Sequence, residues 1–285
     1  FDDLQDKPGY HQEWAAARSR GERREYATHP LYFGCNSFID SEIGRVIDAV
    51  DRYVPDNTWI IYTSDHGEMR GAHGLYGKAA AVYEEIAHIP LIVRPPRAGF
   101  EEAAAVGTRV PTLASHIDVL PTMLELAGLD VPPALEGESL APLLAGHAGD
   151  PERSVFVEFH RFAAQGDALG GFHPMRAVVK GRYKLAVHLH DTDELYDLES
   201  DPAELRNRID DPQLAPVRDA LHDEVLDWMY ANRDPFRAPA WERRSWRQRR
   251  RLSFDGGWEG HRRGRDDGYA PPFTQQNPDA LRQPS

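Results

Sequence analysis

The run TWIIYTSD (58–65) constrains the fold of this chain more than any other segment. Its apolar side chains are consecutive rather than alternating, and they are β-branched or aromatic. Such a run makes a strand buried on both faces, inside a sheet that other elements cover. The preceding residues supply one cover. Across 36–53, Ile39, Ile43, Val46, Ile47 and Val50 recur at spacings of three and four, the stripe of a helix packed on a core, and PDN (55–57) stops it. HIPLIVRPP (88–96) reads as a second buried strand, halted by its prolines. SHIDVLPTMLELAG (115–128) reads as a helix, with Asp118 as N-cap, Pro121 in the first turn and Gly128 at C′. Strands alternating with helices predict an α/β layer with a largely parallel sheet over residues 1–150. Within it, residues 1–30 read as a polar surface segment with a short helix around 13–19.

After residue 150 the pattern changes. SVFVEF (154–159), MRAVVK (175–180), YKLAVHL (183–189) and ELYDL (194–198) are short strands separated by turns, and APVRDALHDEVLDWMYAN (215–232) is an amphipathic helix. Together they predict a small α+β domain, residues 151–232, with an antiparallel sheet. Residues 233–285 show no period and read as an extended Arg/Trp-rich arm. From 233 to 267 the arm carries 11 Arg against 6 Asp or Glu, while the whole chain has a net charge of -13. Three readings of the arm follow: packing of arginines on surface acids, a surface for an anionic sugar or a second copy of the chain, or nucleic-acid binding. The acidic body argues against the last, so no nucleic-acid partner is predicted. No run reaches the roughly eighteen apolar residues of a membrane span, so no membrane partner is predicted either. The single cysteine, Cys35, excludes an intrachain disulfide and reads as a helix-packing residue. A chain opening on Phe1 rather than Met reads as processed or as a fragment, which leaves localisation open.

The chemistry concentrates in TSDHGEMRGAHGLYGK (63–78). Asp65 and His66 follow the end of the first buried strand, the edge where open α/β sheets bind ligands. A carboxylate beside an imidazole can give two ligands to one cation from a single turn. Glycines at 67, 71, 74 and 77 let the backbone bend closely, and Lys78 can return as a positive charge for an anion. The plainer reading is a polar loop, in which His73 bonds the loop to itself and Lys78 is an ordinary surface lysine.

Five segments, in order, decide between these readings. YFGCNSFIDSEIGRVIDAV, DNTWIIYTSDHGEMRGAHGLYGK, YEEIAHIPLIVRPP, ASHIDVLPTMLELAGLDVPPALEGESLAPLLAG and ELYDLESDPAELRN resemble consecutive parts of the sulfatase branch of the alkaline-phosphatase superfamily. The resemblance runs from about residue 30 to 232. It implies an alkaline-phosphatase-like α/β fold whose N-terminal half lies outside these residues, and hydrolysis of a sulfuric ester. It implies that Asp65 and His66 bind a divalent metal, Ca2+ being favoured and Mn2+ or Zn2+ also compatible with the imidazole. It implies that Lys78 contacts the sulfate group and the nucleophile. His73, in the G-x-HG stretch, is a further candidate, either for the substrate pocket or for shaping the loop.

The nucleophile of such enzymes is a formylglycine made in a C/S-x-P/A-x-R motif. That motif does not occur here, since Ile39 stands four positions after Cys35. The chain thus resembles the C-terminal half of a sulfatase, with the nucleophile and first metal ligands upstream. The implied partner is an anionic sulfate ester, such as a sulfated sugar. A phosphonate monoester or phosphodiester hydrolase and a non-catalytic fragment are the alternatives. His160 and His173, flanking the glycine-rich stretch 165–171, are candidates for the pocket rim. His188 and His190, two apart on a strand, read as solvent-exposed.

Overall fold

The computed structural model describes residues 2–19, 30–98, 106–161, 172–236 and 238–247. Helices α1 (Gly9–Ser19) and α2 (Pro30–Tyr53) precede a sheet of two strands, β1 (Ile60–Thr63) and β2 (Leu91–Arg94), with the short helix α3 (Glu84–Ala87) between them. Then come α4 (Val119–Leu126), α5 (Ala141–Leu144), and a second sheet of β3 (Ser154–Arg161), β4 (Phe172–Lys180), β5 (Tyr183–His188) and β6 (Glu194–Asp197). Helices α6 (Ala215–Ala231) and α7 (Pro239–Glu242) close the described chain. The α/β class and the small antiparallel unit are as predicted. No helix among the described residues is long and apolar enough to cross a membrane.

The first sheet departs from the expected parallel pairing: β1 and β2 are antiparallel, with Ile61 opposite Val93. A parallel return needs a crossover of a dozen or more residues, usually a helix. The connection here, residues 64–90, is long enough, but its only helices are a 3₁₀ turn and the four-residue α3, too short to cross the sheet, and the chain doubles back. The C-terminal end of α2 is tied to β2 by Asp51 and Arg94, 2.6 Å apart. Ile43, Ile47 and Val50 are half-buried, but Ile39 and Val46 are exposed, so only part of the predicted stripe packs. Cys35 is exposed rather than packed, because α2 is exposed all round from Leu31 to Ser41.

A 3₁₀ turn, His116–Asp118, leads into α4, and Ser115 and Asp118 cap each other there. Asp118 holds the cap position of α4, yet its buried carboxylate reaches back to the Ser115 N–H at 2.7 Å. It also accepts the Glu138 N–H at 2.9 Å and pairs with Arg153 at 2.7 Å. Gly128, at φ +71°, ends the helix as predicted, with the Leu129 N–H donating to the Leu124 carbonyl.

The four-stranded sheet is a meander in sequence order, antiparallel throughout. One face carries Val178, Leu185, Val187 and Leu195 against Leu221, Val225, Leu226 and Met229 of α6. Trp241 is fully buried in the same core. Arg176, also fully buried, forks onto Asp234 at 2.6 and 3.0 Å. Asp234 and Trp241, both beyond residue 232, thus pack on the small unit. Arg244 clasps Asp193 at 2.7 and 2.6 Å, Trp246 donates to Asp193 at 2.8 Å, and Arg247 pairs with Asp223 at 2.6 Å. Over 238–247 the arm thus packs arginines on acids; residues 248–285 lie outside the described residues.

The opposite face of this sheet is covered too. Met175, Ala177 and Ala186 pack on Val82, while Tyr196 joins Leu4, Trp14, Met69, Leu75 and Tyr83. This second cover buries His188, which the alternation had placed in solvent; its Nε2 lies 2.8 Å from Glu194. His190 is exposed, as expected. Glu194 also accepts hydroxyls from Tyr83 at 3.2 Å and Tyr196 at 2.5 Å. Burial pushes its carboxyl up, but the His188 hydrogen bond and the His11 and His188 imidazoles bring it down to about 2. His11, enclosed beside it, is lowered by burial to about 4.

Candidate active site

The loop leaves β1 at Ser64 and returns at Lys78 because its middle folds into a tight double turn. The Ala72 N–H donates to the Met69 carbonyl at 2.8 Å, the Gly71 N–H to Leu75 at 2.7 Å and the Met69 N–H to Gly77 at 3.1 Å. Glu68 braces this fold, accepting the Gly77 N–H at 2.5 Å and the Arg70 N–H at 3.3 Å. Gly71 and Gly77 have φ +97° and +78°, conformations that side chains resist. Met69 and Leu75 are buried beneath the turn and pin it to the core. The outcome is that Lys78 comes back beside His66, and its Nζ lies against His66 Nε2.

Three of the four predicted site residues therefore meet. The exposed Asp65 carboxylate has one oxygen 3.3 Å from His66 Nε2, and its other oxygen accepts the His66 N–H at 2.9 Å. That backbone bond, helped by the Lys78 ammonium, holds its carboxyl below the usual range. His66 Nδ1 lies 2.7 Å from the Gly67 carbonyl, which can only accept. Nδ1 therefore carries the proton, and Nε2 presents a lone pair beside the carboxylate. Two donors 3.3 Å apart can serve as neighbouring ligands of one cation whose bonds are about 2.0–2.6 Å. Among the described residues no three His, Cys, Asp or Glu side chains converge as a cage, so this pair alone could supply only part of a coordination shell.

His73 is not brought to this cluster. Its buried Nδ1 pairs with Asp2 at 2.5 Å, and its ring stacks on Tyr83 with centroids 4.1 Å apart. Of its two candidate roles, this geometry serves loop shaping; the catalytic assignment finds no support in its position. His160 sits 3.4 Å from Glu158 and against the Phe236 ring. His173 lies 4.6 Å from the Tyr10 ring, lining a cavity of about 270 Å³ with His188, His190 and Asp191. The stretch 165–171 lies outside the described residues.

Sequence reasoning missed the groups that fix the loop. Asp2, which orients His73, belongs to a segment that shows no period. Gly67, expected to let the backbone bend closely around a ligand, instead lets it approach α3: its N–H donates to the Ile86 carbonyl at 2.9 Å, with Glu68 N–H on Glu85 at 2.8 Å. His116, whose Nε2 reaches the Ser64 carbonyl at 2.7 Å, was also missed; the S-x-x-D capping box around it was the available signal.

Comparison with known families matches residues 71–230 to the model "N-sulphoglucosamine sulphohydrolase, C-terminal" and residues 4–129 to the model "Sulfatase". The chain belongs to the sulfatase family. Sulfatase relatives include the "Uncharacterized sulfatase YidJ" of Escherichia coli, 45% identical over 273 residues, covering 95% of this chain and 51% of the relative. The choline-sulfatase of Rhizobium meliloti is 32% identical over 71% of this chain and 37% of its own length. The N-acetylglucosamine-6-O-sulfatase of Bacteroides thetaiotaomicron is 29% identical over 69% of this chain and 35% of its own length. The chain thus spans about half or less of the length of these curated relatives. Among solved structures, a phosphonate monoester hydrolase of Agrobacterium radiobacter superposes with a TM-score of 0.60 at 30% identity, covering 69% of this chain and 40% of that one.

Proposed function

We propose that this chain forms the metal- and anion-binding half of a sulfatase active site, and that the full-length protein hydrolyses a sulfate ester. The observation that carries the reading is the meeting of Asp65, His66 and Lys78 at the end of β1, in a chain of the sulfatase family. Asp65 and His66 would hold one divalent cation. The hard carboxylate suits Ca2+, the favoured ion, while the imidazole nitrogen also suits Mn2+ or Zn2+. When bound, the cation supplies Lewis-acid polarisation of an ester oxygen. Lys78 supplies an ammonium for the anionic group and keeps it within reach of the ligand pair. The nucleophile in this reading is a formylglycine in the upstream part of the full-length protein. Sulfated sugars and choline-type esters both fit the substrate class, as the names of the relatives illustrate.

A second reading, a phosphonate monoester or phosphodiester hydrolase, is favoured by the Agrobacterium radiobacter neighbour. Turnover of an aryl sulfate against the matching phosphonate monoester separates the two. In the full-length protein, Asp65→Ala and Lys78→Ala each lower turnover at least about a hundredfold. A near-native rate in either variant removes that residue from the site. The purified 285-residue chain is expected to turn over neither ester, and measurable turnover by it would refute the half-site assignment.

A further inference from the structure

Ser64, Gly67 and Glu68 are each held by groups outside the loop, on either side of Asp65 and His66. Gly67 and Glu68 hang on the carbonyls of α3. The Ser64 hydroxyl donates to the His66 carbonyl at 2.9 Å. The Ser64 carbonyl, one residue before Asp65, receives Nε2 of His116 at 2.7 Å. That imidazole belongs to the 3₁₀ turn before α4, fifty-two residues later in the chain. Its turn is rigidly founded. Ser115 and Asp118 cap each other, Asp118 is fully buried, and Arg153 and the Glu138 N–H fix its carboxylate. Gly137 packs against the same turn so closely that a Cβ there would fall 2.0 Å from the Ile117 carbonyl oxygen.

We infer that His116 is a positioning residue for the Asp65–His66 ligand pair, acting through the Ser64 carbonyl. This rests on the proposed metal role of that pair. A carbonyl only accepts, so Nε2 carries a proton and the bond forms with the imidazole neutral or charged. The bond fixes the peptide plane from which Asp65 springs, at the point where β1 ends and pairing to β2 stops at Thr63. Without it the Ser64 carbonyl keeps only the Thr63 hydroxyl, at 3.4 Å from the adjacent residue, and the last remote anchor upstream of Asp65 is the ladder. The Ser64 hydroxyl would still bridge to His66, but both of its ends move together. His116 is exposed and its side chain takes no part in the capping of α4, so removing that side chain acts on the neighbouring strand end rather than on its own helix.

The test compares His116→Ala and His116→Gln with the unsubstituted full-length protein. It uses Ca2+ and Mn2+ titrations and amide hydrogen exchange on the metal-free protein. His116→Ala is expected to weaken metal affinity by about 10- to 100-fold, the scale for losing an outer-shell partner. It should speed exchange of the His66, Gly67 and Glu68 amides while leaving the melting temperature near the original. Gln can donate to the same carbonyl and should recover most of the affinity. Unchanged affinity and unchanged exchange in His116→Ala overturn the inference, as does a Gln variant as weak as Ala. Asp65→Asn serves as the control for the reading beneath it. If the unsubstituted protein binds neither ion, or binds them equally well with Asp65→Asn, the metal role of the pair falls and the inference falls with it. If Asp65→Asn abolishes binding and His116→Ala leaves the affinity unchanged, only the role of His116 is lost.

Discussion

Replacing Gly67 by alanine tests whether the loop is held by backbone contact with α3 or merely lies near it. An ideal Cβ on Gly67 would fall 1.9 Å from the Glu85 carbonyl oxygen and 2.9 Å from its carbon. Carbon and oxygen approach no closer than roughly 3.3 Å in ordinary contact, so the two backbones must part by more than an ångström. That movement breaks the bonds from Gly67 N–H to Ile86 and from Glu68 N–H to Glu85, at 2.9 and 2.8 Å. Each bond contributes about 1 kcal/mol, and forced repacking adds about 1–3 kcal/mol. The expected loss is about 3–5 kcal/mol. Gly74→Ala is the control. That residue has φ +71° but nothing within 4 Å of its would-be Cβ, so only the left-handed conformation is penalised, by about 1–2 kcal/mol. Urea unfolding of both variants, read as a change in midpoint at constant slope, gives the two numbers. If Gly67→Ala loses no more than Gly74→Ala, α3 does not anchor the ligand loop, and the account of how Asp65 and His66 are placed fails.

Two further outcomes concern stability. His11 and His222 are each lowered by burial from 6.5 to about 4, so between those values the unfolded chain binds protons that the folded one refuses. Stability should therefore rise with pH across about 4 to 6.5, and Glu194, lowered from 4.5 to about 2, adds a second loss as pH falls through its own window. Urea midpoints that do not change between pH 7 and pH 4.5 would contradict this, and His222→Gln should flatten part of the slope. Lys184 is buried and meets the Val82 carbonyl at 2.8 Å, Glu84 at 2.6 Å and Glu204 at 2.9 Å. Lys184→Met leaves Glu204 buried without its cation and should cost about 3–5 kcal/mol by urea unfolding, with Lys184→Met/Glu204→Gln recovering part of it; a single variant as stable as the original would show that the network contributes nothing.

Most elements were legible in the sequence because their signals are local. Apolar runs and turn residues placed all six described strands, and the 215–232 periodicity placed α6 to within a residue. The direction of β2 was not legible, since it depends on how the chain between the strands is spent, and a glycine-rich loop has no period to read. His188 was misplaced for a related reason. Alternation tells which residues share a face of a sheet, but not whether a remote segment covers that face. Here residues 4–14 and 79–87 cover it, and neither announces itself as a partner of β5. The packing of Trp241 on the small core and of Asp234 on Arg176 was not legible, because both come from a stretch whose composition reads as an arm. At the site, Asp65, His66 and Lys78 were legible because their chemistry is carried in one short run. His73 was harder, because its function depends on Asp2, seventy-one positions away.

The anchoring contacts explain how the loop of the candidate site and the small antiparallel unit are held together in this chain. Lys184 rises from β5 and holds Glu84, the first residue of α3, together with the Val82 carbonyl just before it. The backbone of α3 in turn holds Gly67 and Glu68. On the other flank, Glu204, from the turn after β6, accepts the Glu84 N–H at 2.7 Å, and its own carbonyl accepts Lys7 at 2.8 Å. Asp2 and Lys7 lie in one short N-terminal segment, and Asp2 fixes His73 inside the ligand loop. The loop is thus supported from the small sheet by way of α3 and from the N-terminal segment by way of His73. Its outer surface, where Asp65, His66 and Lys78 meet, is left free of structural duties. Accessible side chains on an over-determined backbone are what the proposed site needs if a cation and an anion are to enter without the loop reorganising. The arrangement also predicts where damage spreads. Substitutions in the small sheet near Lys184 should disturb the ligand pair, whereas those on its α6 face should cost stability alone.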